Sequence, residues 1–290
     1  MLDTIETPRP TEQIRRPTIE VASTVRANPD HPLYTADRAV AKTLCGGRSA
    51  IIAALDGVGA GGPDSAKAAE TVQRNLLEIQ QRVAGKTPTL NEGTELLRET
   101  IFKSTEEIKE MQKKNPEIDT TVSAAIICES PDGKKRFLLT ANVGDSRIYC
   151  YKPRTGKVEQ LTTDHSLVQW LVNAGEIKES EAFNHPDRNV ITRAVGSLEK
   201  PEEIDLKVCE VKKGDIYLAV SDGVSDNLTP EGLPVAIRDE FQNCYDRAQR
   251  KPNLKKMADG IARRAGNVMT GTRAEHAKPD DICVAILRVY

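Results

Sequence analysis

The chain has 290 residues, with 41 Lys and Arg against 43 Asp and Glu, and its formal net charge is −2. This near-balance argues against a basic surface for nucleic acid and against a long acidic tail. The longest apolar runs, at 49–55 and 216–220, are far too short to cross a bilayer, and the N-terminus lacks a basic-then-apolar signal pattern. We therefore expect a cytoplasmic protein without nucleic-acid or membrane partners.

Residues 1–20 are polar and contain three prolines, which predicts a flexible N-terminal arm. The remaining residues, 21–290, are enough for one large domain with a full core.

The predicted elements alternate between groups of strands and pairs of helices. In chain order they are a strand at 18–25, a strand at 49–55, helices from 63 to about 83 and from 91 to 113, strands at 121–128, 136–143 and 147–151, a helix at 166–174, an irregular stretch at 175–196, strands at 204–211 and 216–220, two helices within 230–270 broken at 251–252, and a strand at 281–289. Short turns between successive strands favour antiparallel pairing. The pattern predicts an α+β sandwich of antiparallel sheets covered by helices.

The six cysteines include no C-x-x-C pair and are not accompanied by paired histidines. Three of them, Cys128, Cys209 and Cys283, lie in apolar, strand-like runs. This pattern favours buried free thiols over a zinc site.

Several aspartates stand at the ends of predicted strands, close to glycines. They are Asp56, Asp145, Asp222 and the pair Asp280–Asp281, and Asp226 follows four residues after Asp222. Each alone is also typical of an ordinary turn. Together they are suited to a hard cation, because strands hold the ligands rigidly and oxygen-only ligands favour Mg²⁺ or Mn²⁺ over Zn²⁺.

Six motifs in a fixed order carry a family resemblance. They are LDGVG at 55–59, DTT at 119–121, ANVGDSR at 141–147, LTTDHS at 161–166, SDGVSD at 221–226 and KPDDICV at 278–284. In this order they resemble the metal-dependent Ser/Thr protein phosphatase family (type 2C, or PPM), and specifically a bacterial-type single-domain member. The resemblance extends from about residue 20 to the C-terminus.

The resemblance implies a four-layer α-β-β-α sandwich and a centre of two or three Mn²⁺ or Mg²⁺ ions. It implies hydrolysis of phosphoserine and phosphothreonine in proteins, by a hydroxide that bridges two metals and attacks phosphorus in line. The partner would be a phosphorylated protein substrate, and we expect a monomer. The irregular stretch at 175–196 resembles the family's variable flap, which would face the substrate.

The resemblance also assigns roles to individual residues. Asp56 would bridge the two central metals, and Gly57 would offer its carbonyl. Asp222 and Asp280 would complete that centre, while Asp145 and Asp226, with Asp222, would bind a third ion. Thr121 matches the family's Gly-x-Thr, although Asp119 replaces the glycine.

Some positions depart from the family pattern. Asp37 matches the second acid of an early Glu-Asp pair, but Ala36 replaces the first, which normally holds metal-bound water. Arg26 is the candidate phosphate ligand, with a longer spacer before Asp37 than is usual, and another Arg could substitute for it. Val58 stands where many eukaryotic members have His. We expect a structural role for His165.

Two alternatives remain open at the sequence level. Ala36 and the Arg26 spacing would suit a pseudophosphatase that acts as a regulatory binding module. SDGVSD also resembles a late motif of haloacid-dehalogenase phosphatases, but their early Asp-x-Asp loop has no counterpart at Asp56.

Overall fold

The computed structural model describes residues 19–59, 64–271 and 276–290. Most of the predicted arm, residues 1–18, lies outside this range. The strands are β1 Ile19–Arg26, β2 Arg38–Leu44, β3 Ser49–Leu55, β4 Gly57–Val58, β5 Asp119–Thr120, β6 Val122–Glu129, β7 Arg136–Val143, β8 Arg147–Lys152, β9 Lys157–Gln160, β10 Asp205–Glu210, β11 Ile216–Val220, β12 Tyr245–Asp246, β13 Lys251–Pro252 and β14 Ile282–Val289. The helices are α1 Ser65–Arg82, α2 Leu90–Gln112, α3 Leu167–Ala174, α4 Glu179–Ala182, α5 Asp222–Ser225, α6 Gly232–Asn243 and α7 Leu254–Met269.

Two five-stranded antiparallel sheets form the centre of the fold. Their strand orders are β1-β14-β11-β8-β9 and β10-β7-β6-β3-β2. Strand β3 shows how they stack, since all seven of its residues are buried. Ile51, Ala53 and Leu55 pack among α1 and α2, whereas Ala50, Ile52 and Ala54 pack against the other sheet. A strand covered on both faces needs this continuous apolar sequence.

The outer layers are helix pairs. Helices α1 and α2 share a core with the sheet that contains β3, and α6 and α7 share a core with the sheet that contains β14. Helix α2 begins with a capping box, in which Thr89 accepts from the Glu92 amide and Glu92 accepts from the Thr89 amide. The predicted four-layer α+β sandwich is confirmed. No helix among the described residues is both long and apolar enough to cross a membrane.

Two strands of the main sheets are absent from the sequence prediction. Strand β2 carries Arg38, Lys42 and Thr43 among its apolar residues, and β9 has only four residues. Both lie at sheet edges, where one side of a strand needs no apolar pattern. The expected helix break at 251–252 is the short strand β13, which pairs with β12.

One edge of the sandwich gathers several loops that the sequence places far apart. The pairing of Arg38 with Leu55 aligns the start of β2 with the end of β3. The pairing of Val220 with Val284 aligns the end of β11 with the start of β14. Antiparallel pairing therefore brings the loops at 37, 56, 145, 222 and 280 to the same side of the molecule.

Candidate metal centre

The loops at this edge bring the predicted aspartates into one electrostatic cluster. Its members, the aspartate cluster below, are Asp37, Asp56, Asp145, Asp222, Asp226 and Asp280. The pKa of every member except Asp222 is raised, and burial is the largest cause at each. The negative charge of Asp222 raises these five pKa values further. The pKa reaches about 6 at Asp226 and about 7 at Asp280. These acids therefore lie close enough for their negative charges to repel one another.

Asp56 is held by the turn that follows β3. Its amide donates to Thr121 Oγ1 at 3.2 Å, and its carbonyl accepts from the Thr121 amide at 2.8 Å and from Thr120 Oγ1 at 2.7 Å. Thr121 in turn shares a 2.8 Å hydrogen bond with Ser146 Oγ, beside Asp145. The Asp-Thr-Thr motif therefore fixes the backbone of Asp56 and links it to the next acidic loop.

Gly57 is required by the close approach of two other segments. A Cβ at this position would lie 2.7 Å from the carbonyl oxygen of Ser65 and 2.9 Å from that of Ala36. Three backbone segments thus meet at residue 57. A larger residue would force them apart beside Asp56.

The turn that carries Asp145 is held by the side chain and backbone of His165. Gly144 has φ +104°, and its amide donates to His165 Nδ1 at 3.1 Å, while its carbonyl accepts from the His165 amide at 2.9 Å. Burial lowers the pKa of His165, which favours the neutral ring that accepts at Nδ1. Its Nε2 lies 3.1 Å from Asp205 Oδ2. These contacts support the structural role expected for His165.

Asp222 is the first residue of α5, immediately after β11. A Cβ on Gly223 would lie 1.8 Å from the carbonyl oxygen of Asp281, so the segment before β14 lies directly on this turn. Asn227 fastens the same segment, because its side chain donates to the Lys278 carbonyl and accepts from the Lys278 amide, both at 2.9 Å.

The cation inside the cluster is the ammonium of Lys278. Its Nζ lies 2.5 Å from Asp222 Oδ2, 2.9 Å from Asp280 Oδ2 and 3.6 Å from Asp226 Oδ2. Burial alone would raise the pKa of Asp222, but this ammonium brings it below its ordinary value. The same carboxylates raise the pKa of Lys278.

The donor chemistry of the cluster fits divalent cations such as Mg²⁺ and Mn²⁺. Asp37 Oδ2 and Asp222 Oδ1 are buried oxygens without a hydrogen-bond partner among the described residues. Buried carboxylate oxygens of this kind need a cation or water. Over the same ranges, however, no three His, Cys, Asp or Glu side chains are arranged as a ready-made cation site. The acids therefore have suitable chemistry for a divalent cation, but in this arrangement the ammonium of Lys278 balances part of their negative charge.

Arg26 ends β1 and pairs with Ile282 at the start of β14, so its backbone lies at the edge that carries Asp280. Its side chain is exposed, and its charge acts on the carboxylate of Asp259 in α7. Its role as a phosphate ligand stays a prediction. Two other guanidinium groups lower the pKa of Asp226, namely those of Arg147 and Arg188. Arg147 forms an ion pair with Asp164, with a closest N–O distance of 2.6 Å.

Arg188 belongs to the predicted flap, and it joins the flap to the segment before β14. It donates to the carbonyl of His276 at 2.9 Å, and its guanidinium lies 5.8 Å from the ring centre of Phe183. Its Nε is buried without a partner among the described residues.

At the other end of the flap, the amide of Gly196 donates to Asp119 Oδ1 at 2.6 Å. Asp119, which replaces a family glycine, thus anchors the flap.

The long spacer between Arg26 and Asp37 is held by Asp281. The buried carboxylate of Asp281 accepts from the amide of Asn28 at 2.7 Å and from that of Ala36 at 2.6 Å. The sequence places Asp281 among the strand-end acids but does not predict this anchoring role, and it does not single out Lys278 or Arg188 as contributors to this edge. The available signal for Lys278 was its position inside the last motif, two residues before Asp280.

Comparisons with known proteins agree with this architecture. The family model for protein phosphatase 2C matches residues 35–259. The serine/threonine phosphatase stp of Listeria monocytogenes serovar 1/2a is 34% identical over 184 residues, which are 62% of this chain and 68% of that protein.

Solved structures show the same fold over almost the whole chain. The serine/threonine phosphatase of S. agalactiae has a TM-score of 0.71 and 25% identity, over 94% of this chain and all of that one. The catalytic domain of the serine/threonine protein phosphatase PstP, in complex with two manganese ions, has a TM-score of 0.68 and 22% identity, over 94% of this chain and 99% of that one.

Proposed function

Because this chain belongs to the protein phosphatase 2C family and is a metal-dependent serine/threonine phosphatase, we propose that the aspartate cluster is its metal centre. The proposal assigns Asp56, Gly57, Asp222 and Asp280 to the central ions, with Asp37 beside them, and Asp145 and Asp226 to a further ion. The observation that carries it is the convergence of these buried, mutually repelling carboxylates at one edge of the sandwich.

Two ions, or three, of Mn²⁺ or Mg²⁺ suit these oxygen donors. When bound, such ions acidify a water molecule and neutralise charge on the phosphoryl group. The chain itself supplies rigid placement, since Thr120 and Thr121 fix the Asp56 backbone and Gly57 lets three segments meet. The described residues retain all these carboxylates, and no observation favours a pseudophosphatase.

The substrate that fits this activity is a protein carrying phosphoserine or phosphothreonine. The flap at 175–196 would contact the substrate, with Arg188 as its candidate phosphate ligand, since this guanidinium acts on Asp226 and binds the His276 carbonyl. An Arg suits this role because its fork donates two hydrogen bonds to phosphate. We further propose that residues 21–290 act as one catalytic domain, in monomeric form, in the cytoplasm.

The test is Mn²⁺-dependent hydrolysis of p-nitrophenyl phosphate and of a phosphothreonine peptide. We expect turnover that EDTA abolishes and that Asp222→Ala reduces to background, while circular dichroism shows a folded variant. Turnover that persists in the Asp222→Ala variant would contradict the assignment of the site.

A further inference from the structure

The ammonium of Lys278 occupies a place among three of the proposed metal ligands. Its Nζ lies 2.5 Å from Asp222, 2.9 Å from Asp280 and 3.6 Å from Asp226, and its side chain is 21% exposed. We propose that Lys278 is an internal cation of the aspartate cluster, which takes the place of one divalent ion between these carboxylates and must be displaced before that ion binds. The inference rests on the proposed function of the same site.

The backbone of Lys278 is fixed in this position from both sides. The buried side chain of Asn227 binds its amide and its carbonyl at 2.9 Å each, and also donates to the Gly223 carbonyl at 3.0 Å. Pro279 follows directly and disfavours helical backbone at residue 278. The side chain is therefore directed from a rigid base, and only its own rotations can remove the ammonium from the acids.

The match between the ammonium and the acids is chemical as well as geometric. An ammonium has three N–H donors, and three carboxylates surround it here. It supplies one positive charge where a divalent ion would supply two, so the remaining carboxylate charge still attracts a metal. A metal that enters must nevertheless break these short ion pairs, which weakens its apparent affinity.

The other side of the cluster carries no such competitor in the described part of the chain. Asp37 Oδ2 is buried there without a hydrogen-bond partner, and Asp56 experiences mainly burial and the charges of other aspartates. The side of the cluster with Asp37 and Asp56 should therefore bind a divalent ion more tightly than the side that contains Lys278. The ion beside Asp37 and Asp56 enters first, and the ion between Asp222 and Asp280 enters only when Lys278 leaves.

The experiment is a calorimetric titration of the full chain, stripped of metal, with MnCl₂, for the wild type and for Lys278→Met. Methionine keeps a long unbranched side chain and removes the charge. We expect the weaker class of Mn²⁺ sites to tighten by roughly tenfold or more in Lys278→Met, because the wild-type site would be open to metal in a tenth of molecules or fewer. Lys213→Met, at an exposed lysine in the turn between β10 and β11, is the matched control and should titrate like the wild type.

A second readout does not depend on activity or on calorimetry. In EDTA, Lys278→Met should melt at a lower temperature than the wild type, because its carboxylates lose their internal cation, and Mn²⁺ should raise its melting temperature by the larger amount. Lys278→Arg, which keeps the charge, should retain the weak wild-type class of sites. Equal Mn²⁺ affinities and stoichiometries in the wild type and Lys278→Met would overturn the inference while leaving the proposed metal centre intact. Absence of Mn²⁺ binding in both proteins would overturn the inference and the proposed function together.

Discussion

Replacement of Asp281 by alanine tests how the fold holds the loop that carries Asp37. The carboxylate accepts hydrogen bonds from the amides of Asn28 and Ala36, at 2.7 and 2.6 Å, at the two ends of that loop. Asp281 is 4% exposed, and Asn28 and Ala36 are 8% and 9% exposed. Water therefore has little access to the two amides when the carboxylate is removed.

The expected cost follows from the two amides left without a partner. A buried donor without a partner costs about 1–3 kcal/mol, so the loss of two partners in Asp281→Ala should lower the free energy of unfolding by about 2–6 kcal/mol. The matched control is Asp246→Ala. Asp246 also accepts from two amides, those of Ala248 and Gln249 at 2.8 and 3.0 Å, but in an exposed turn. Water replaces its bonds, and the cost should stay within about 0.5 kcal/mol.

The assay is urea unfolding of both variants and the wild type in EDTA, followed by circular dichroism. Limited proteolysis provides a local readout, and we expect cleavage within 27–36 to become faster in Asp281→Ala alone. If Asp281→Ala destabilises the protein no more than Asp246→Ala does, Asp281 does not hold the loop. Equal cleavage rates in the two variants would show that another contact holds the loop.

Substitutions at the metal centre and at the two candidate phosphate ligands should change binding and turnover. Gly57→Ala should weaken Mn²⁺ binding and lower kcat/KM, because its Cβ would meet two carbonyl oxygens within 3.0 Å. Gly266→Ala in α7 is the control and should keep wild-type activity, because its nearest contact would be at 3.8 Å. Asp56→Ala should lower kcat/KM by roughly 10³-fold or more with the fold retained, since the chemistry supplied by metals is worth several kcal/mol; an active Asp56→Ala protein would remove this residue from the site. Arg188→Ala should raise KM for a phosphothreonine peptide by roughly tenfold, the value of a charged hydrogen bond to phosphate, and Arg26→Ala should raise it less. A larger effect at Arg26 would restore the phosphate-binding role that the sequence predicts for it.

Sequence patterns predicted the layers of this fold because the central strands of its two main sheets are buried on both faces. Such strands have continuous apolar sequences, as β3 and β11 do, and their bounds could be read closely. Strand β2 escaped prediction because it lies at a sheet edge and carries charged residues. Its identification needs the register with β3, which sequence alone does not provide.

The convergence of these acids at one edge has a related reason. Five of the six stand within two residues of a strand end, and antiparallel pairing brings alternate strand ends to one edge, while Asp226 follows α5. The contacts of Lys278 were not predictable, because they depend on the clamp from Asn227, fifty-one residues away in the chain. The placement of Arg26 likewise depends on which face of β1 is turned toward α7.

We propose above all that the aspartate cluster holds the metals of this phosphatase. A crystal grown or soaked with MnCl₂, with anomalous differences recorded at the manganese edge, tests it most directly. We predict anomalous peaks bound by Asp56 together with Asp222 and Asp280, and displacement of Lys278 wherever a peak lies between the latter two. Peaks elsewhere, or an aspartate cluster without any peak in crystals of a protein that Mn²⁺ activates, would contradict the claim.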